Sequence, residues 1–120
     1  MLIDVLREVP VAVEVVAEAA ALGASASEVT RYEILAGLRA GEEDRTEDLL
    51  AQLDWVPVGE SIARLAAALA REFRSGREGI EDGDYLIAAT ALEHGLTLVT
   101  TDTDYQRVPD LKLTLLPRRL

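Results

Sequence analysis

The sequence predicts an α/β fold, a three-layer α/β/α sandwich with a central parallel sheet, built as a single domain over residues 1–120. Three observations carry this. Helix-length segments rich in Ala and Leu alternate with short apolar runs of strand length. Helix-starting residues (Ser27, Asp82) and helix-stopping glycines (Gly23, Gly41, Gly95) fall at the segment borders. Strands that alternate with helices pair in parallel and are covered on both faces, and residues 96–100 have the apolar character of such a strand.

Taken in order, Met1-Leu2-Ile3 is a very short first strand, or the tail of a strand that begins earlier. Residues 11–22 carry helix signals and end near Gly23. Residues 24–26 form a short apolar strand, and Ser27 caps a helix running to residue 40, with Gly41 as its stop. A charged helix covers 44–53, and Trp55-Val56-Pro57-Val58 is a short strand. Gly59 leads into a long helix over 60–74, followed by a loop containing Gly76 and Gly79. Asp82 caps a helix to residue 93, Gly95 ends it, and 96–100 is a strand. The last strand is 111–116, alternating around Lys112 and Thr114.

Composition narrows the chemistry. Hydrophobic residues make up 49%, enough for a core and too many for a disordered chain. Aromatics are only 4%, so that core is Ala, Leu, Val and Ile. The absence of cysteine excludes disulfides, thiolate metal sites and cysteine nucleophiles, and it fits a reducing cytoplasm. A single histidine, His94 beside Gly95, excludes a multi-histidine metal site and reads as a helix C-terminal cation. No signal peptide is visible, and no apolar run approaches the roughly 18–20 residues of a membrane span. The net charge of −10 argues against a broad basic nucleic-acid surface. Arg64, Arg71, Arg74 and Arg77, and near the end Arg107, Lys112, Arg118 and Arg119, are the cations placed to touch phosphate. Solvated side chains are the simpler reading of both groups.

The acids are the informative residues. Asp84 lies in the first turn of its helix, where the helix dipole favours negative charge, yet Asp82 already fills the capping role. Asp102 and Asp104 come after an apolar strand and two threonines. Turn chemistry explains them, and so does a ligand site beyond the carboxyl end of a parallel strand. Glu33 falls beside Val29, Ala36 and Ala40 on a helical wheel, with Gly37 where a cation would pair with it. It is either a partly exposed surface residue or a buried acid with a charge to bind. The run Glu42, Glu43, Asp44, Glu47 and Asp48 reads as a solvated face. Converging carboxylates repel one another, and a hard divalent cation with oxygen ligands, Mg²⁺ or Mn²⁺, removes the conflict. Such a site hydrolyses phosphodiesters without His or Cys.

Three segments, in order and spacing, resemble PIN-domain ribonucleases, specifically the VapC-type toxins of toxin–antitoxin pairs. The likeness covers nearly the whole chain. Val29-Thr30-Arg31-Tyr32-Glu33-Ile34-Leu35-Ala36-Gly37-Leu38 is similar to the family's "T-x-x-E-L-x-x-G" helix. Asp84-Tyr85-Leu86-Ile87-Ala88-Ala89-Thr90-Ala91 is similar to "D-x-L-I-A-A-T-A". Val99-Thr100-Thr101-Asp102-Thr103-Asp104-Tyr105 resembles "T-x-[DN]-x-D-F". The resemblance implies catalytic acids Glu33, Asp84 and Asp102, with Asp104 beside them as a metal ligand, and Mg²⁺ or Mn²⁺ as cofactor. It implies an RNA substrate, a cognate antitoxin, a homodimer and a cytoplasmic location. The family's first acid, in "Asp-Thr/Ser/Asn-x-Val-Leu-Ile", has two placements. Met1-Leu2-Ile3-Asp4-Val5-Leu6-Arg7 matches the stretch downstream of that acid, which makes the first strand truncated and puts the acid upstream of Met1. The other placement makes Asp4 the first acid on a three-residue strand. The truncated register motivates a second reading, a catalytically impaired PIN remnant that only binds antitoxin or RNA. A receiver-type phosphoacceptor domain is disfavoured because Lys112, the only lysine, lies within a strand.

Overall fold

The computed structural model describes residues 1–4, 18, 20–73 and 82–116. Within them the elements run β1 (Leu2–Asp4), β2 (Ser25–Ser27), α1 (Glu28–Ala36), α2 (Glu43–Leu50), β3 (Asp54–Val56), α3 (Glu60–Phe73), α4 (Asp82–His94), β4 (Leu98–Thr100), a 3₁₀ turn (Thr103–Arg107) and β5 (Leu113–Leu115). The expected helix over 11–22 lies largely outside the described residues, as does the glycine loop before Asp82.

The strands form one sheet of order β3-β2-β1-β4-β5, and every pairing is parallel. Chain order runs outward in one direction from β1 to β3 and in the other from β4 to β5. The direction therefore reverses between β1 and β4, and a crevice opens beyond the carboxyl ends of strands at such a reversal. The register sets Asp4 directly opposite Thr100 at that point.

β1 is the very short first strand expected at the front of the chain. It occupies the centre of the sheet, is paired on both edges, and has three residues like each of its neighbours. The amide of Leu2 donates to the Thr97 carbonyl at 2.8 Å, and the Met1 carbonyl accepts from Ser25 at 2.9 Å. Its side chains alternate between two cores. Leu2 packs with Ile62, Leu69, Tyr85, Ile87 and Leu98, whereas Ile3 packs with Ala24, Ala26, Ile34, Leu49 and Leu50. Full burial of each is worth roughly 1.5–3 kcal/mol. The same alternation turns Asp4 to the Leu2 side, toward α4.

That helix is apolar nearly all round because it is covered by the sheet, by α3 and by the 3₁₀ turn. Ala88, Ala89 and Ala91 keep its axis close to its neighbours, and the buried Thr90 hydroxyl donates to the Leu86 carbonyl at 2.8 Å. Gly95, at φ +63°, stops it, and the Leu96 amide reaches back to the Ala91 carbonyl at 2.8 Å. The first boundary of α1 matches expectation: Ser27 caps it. The second does not. The helix ends at Ala36 rather than residue 40, because the next turn is held by the Glu42 carboxylate accepting from Arg39 N and Glu43 accepting from Gly41 N. Part of the acidic run is thus turn chemistry. β3, β4 and β5 are one to three residues shorter than their expected runs, whereas β2 keeps three residues but lies one place on, at Ser25–Ser27. Among the described residues no helix is long and apolar enough to cross a membrane.

Candidate functional site

Asp4 ends β1 and Asp84 sits in the first turn of α4, and the two carboxylates meet on one hydroxyl. Tyr105 Oη lies 2.9 Å from Asp4 Oδ2 and 3.2 Å from Asp84 Oδ1. Asp84 is 5% exposed and Tyr105 2%, so this meeting takes place inside the protein at the edge of the crevice. Burial first, and then the two neighbouring carboxylates, push the phenol far above its ordinary pKa. Tyr105 therefore remains a donor at every physiological pH. Its hydroxyl lies within hydrogen-bond reach of both carboxylates and orients them.

Thr100 ties this pair to the loop beyond β4. Its buried Oγ1 donates to the Asp4 carbonyl at 3.2 Å, lies 3.5 Å from Asp4 Oδ2, and accepts from the Asp102 amide at 3.1 Å. Asp102 then caps the 3₁₀ turn, its Oδ1 accepting from Asp104 N at 2.9 Å. That turn carries Tyr105 back under the two acids, and its end is closed by Val108 N donating to the Tyr105 carbonyl at 3.0 Å.

Glu33 comes to the same region from α1. Its Oε1 is shut off from solvent, and it lies against Gly83, the residue preceding Asp84. A Cβ at Gly83 would stand 3.7 Å from Glu33 Oε1 and 3.4 Å from Val29 Cγ1, ordinary contact distances that show how closely α1 and α4 approach here. Ala36 and Ala40, expected beside Glu33 on a packed face, are exposed; the packed side of α1 is formed by Thr30 and Ile34.

The structure brings Asp4 and Asp84 together and sets Glu33 against the helix turn that carries Asp84. Asp102 and Asp104 stand across the loop, half-buried and engaged in the turn itself. Among the described residues, no three acidic or imidazole side chains are arranged as a ready set of ligands for one ion. Asp4, one of the two placements of the family's first acid, stands at the end of the central strand opposite Thr100. Sequence reasoning misses Tyr105 altogether. The matching motif closes on Phe, and an aromatic in an apolar setting reads as core. The signal that exposes it is a hydroxyl on a ring too buried to reach water.

The geometry agrees with what this chain is similar to. A PIN domain sequence profile matches residues 2–111. Ribonuclease VapC19 of Mycobacterium tuberculosis is 42% identical over 113 residues, covering 92% of this chain and 90% of that one. Ribonuclease VapC10 of the same organism is 40% identical over 74 residues, covering 62% of this chain and 56% of that one. Among solved structures, VapBC2 from Rickettsia felis bound to a promoter DNA fragment superposes with a TM-score of 0.75 at 19% identity, covering 97% of this chain and 99% of that one. A toxin–antitoxin complex from Klebsiella pneumoniae superposes with a TM-score of 0.73 at 22% identity, covering 100% and 99%. With an acid pair at the crevice of a five-stranded parallel sheet and a family match along nearly its whole length, the chain belongs to the PIN domain family, in its VapC group.

Proposed function

We propose that this chain is a divalent-metal-dependent endoribonuclease, the toxin of a toxin–antitoxin pair. The observation that carries the reading is the convergence of Asp4 and Asp84 on the single proton of Tyr105 at the topological reversal of the sheet. Two carboxylates from different elements meet here on one hydroxyl, and a hard cation with oxygen ligands suits that donor set. Asp4 and Asp84 would hold Mg²⁺ or Mn²⁺, with Glu33, Asp102 and Asp104 as the further acids of the site. The ion would supply Lewis-acid chemistry for phosphodiester hydrolysis. The chain's own part is to fix the two carboxylates through Tyr105 and Thr100, and to keep Glu33 beside α4 through Gly83.

The relatives named ribonuclease support the reaction, and the neighbours described as toxin–antitoxin complexes support a small antitoxin partner. An acidic pocket of this kind takes a partner's Arg through charge-assisted hydrogen bonds. The same reading has the protein act as a homodimer in the cytoplasm. The alternative is a catalytically impaired domain that only binds antitoxin or RNA; the contact of Asp4 with Tyr105 beside Asp84 favours the catalytic reading over it.

The test is RNA cleavage by the 120-residue chain with Mg²⁺ or Mn²⁺, with Asp4→Asn and Asp84→Asn as variants. Loss of one ligand carboxylate should lower cleavage at least about a hundredfold while circular dichroism remains that of the parent. Cleavage that survives a chelator, or that survives both substitutions, would sink the reading.

A further inference from the structure

We infer that Tyr105 is a positioning residue whose hydroxyl sets the affinity of the Asp4/Asp84 pair for a divalent cation. This rests on the metal reading of that pair. Tyr105 takes one oxygen from each carboxylate, Oδ2 of Asp4 at 2.9 Å and Oδ1 of Asp84 at 3.2 Å. The acids come from different elements, the end of β1 and the first turn of α4, so no local backbone geometry keeps their rotamers matched. The phenol does. Its own place is fixed from below, because it is 2% exposed, packed with Leu2, Ile87 and Val108, and carried on a 3₁₀ turn capped by Asp102. Hydrogen bonds that orient ligating carboxylates raise metal affinity by removing the cost of ordering them when the ion arrives.

The adjacent Tyr85 supplies an internal comparison. It is also buried, at 1% exposure, and its hydroxyl has no hydrogen-bond partner among the described residues. Removing that oxygen takes away a phenol that touches neither acid, whereas removing the Tyr105 oxygen takes away the one that touches both. Each Tyr→Phe change keeps the ring and its packing.

The experiment measures Mn²⁺ binding to the full chain without RNA, by electron paramagnetic resonance of the free ion, at a temperature where thermal melts show every variant folded. We expect Tyr105→Phe to bind Mn²⁺ about tenfold or more weakly than the parent, and Tyr85→Phe to bind as the parent does. Equal affinity in the parent and Tyr105→Phe overturns this inference and leaves the metal reading intact. Equal weakening by both substitutions also overturns it, since the effect is then general to the core. A parent that binds no Mn²⁺, or whose binding survives Asp84→Asn, removes the metal reading and this inference with it.

Discussion

Gly83 governs how closely Glu33 approaches the helix turn that carries Asp84. A methyl at this position would meet Val29 and Glu33 at ordinary contact distance. Gly83→Ala should fold and cleave RNA as the parent does, with a melting temperature equal or slightly higher, since Ala favours a helix over Gly by up to about 1 kcal/mol. Gly83→Leu should cost about 1–3 kcal/mol by overpacking and push Glu33 away, lowering cleavage without altering any acid. Parent-level cleavage by Gly83→Leu would show that the position of Glu33 does not matter. At this scale Asp84 stood out in the sequence because Asp82 already filled the capping role. What was not legible was pairing. Tyr105 and Asp4 are 101 residues apart in sequence, and no local pattern announces that their side chains meet.

Among the elements, α1 depends most on its first residue pair. Ser27 is fully buried, and its Oγ accepts from Val29 N at 3.1 Å, meeting one of the amides a helix start leaves open. One turn on, the Arg31 guanidinium bonds Glu28 and lies 4.2 Å from the centre of the Trp55 ring, which fastens the helix to β3. Ser27→Ala should therefore lose about 0.5–2 kcal/mol, read as a melting temperature lowered by several degrees. An unchanged melt would mean that the Ser27 cap contributes nothing. Helix starts such as this one were legible because a cap is written in a residue and its next two neighbours. The end of α1 was not, because Glu42 and Glu43 accept from amides earlier in the chain and stop the helix before the glycine that looked like its stop. The strand order was equally hidden. Alternation of strands and helices predicts a parallel sheet, but not that β1 lies at its centre with Asp4 facing α4.

The whole molecule carries a net charge of −10, and a polyanionic substrate must approach it against that field. Some of its cations are already committed: Arg31 to Glu28 and Trp55, and Arg64 to Glu60 at 2.8 Å. On the proposed function, attraction for RNA would come from short-range contacts and from a cation held by the acids, while the long-range term is repulsive. Salt separates the two. Raising monovalent salt from about 0.01 M to about 0.15 M shortens the screening length from about 30 Å to about 8 Å, which removes distant repulsion and leaves close contacts in place. With the divalent ion fixed and saturating, kcat/KM for a short RNA should stay level or rise severalfold over that range. A nuclease that gathers RNA on a basic surface behaves oppositely, because each phosphate contact releases counterions and affinity falls as a power of salt concentration. A tenfold or greater fall would show that the arginines form a working phosphate track after all, and that the acidic balance of the chain is not what the substrate meets.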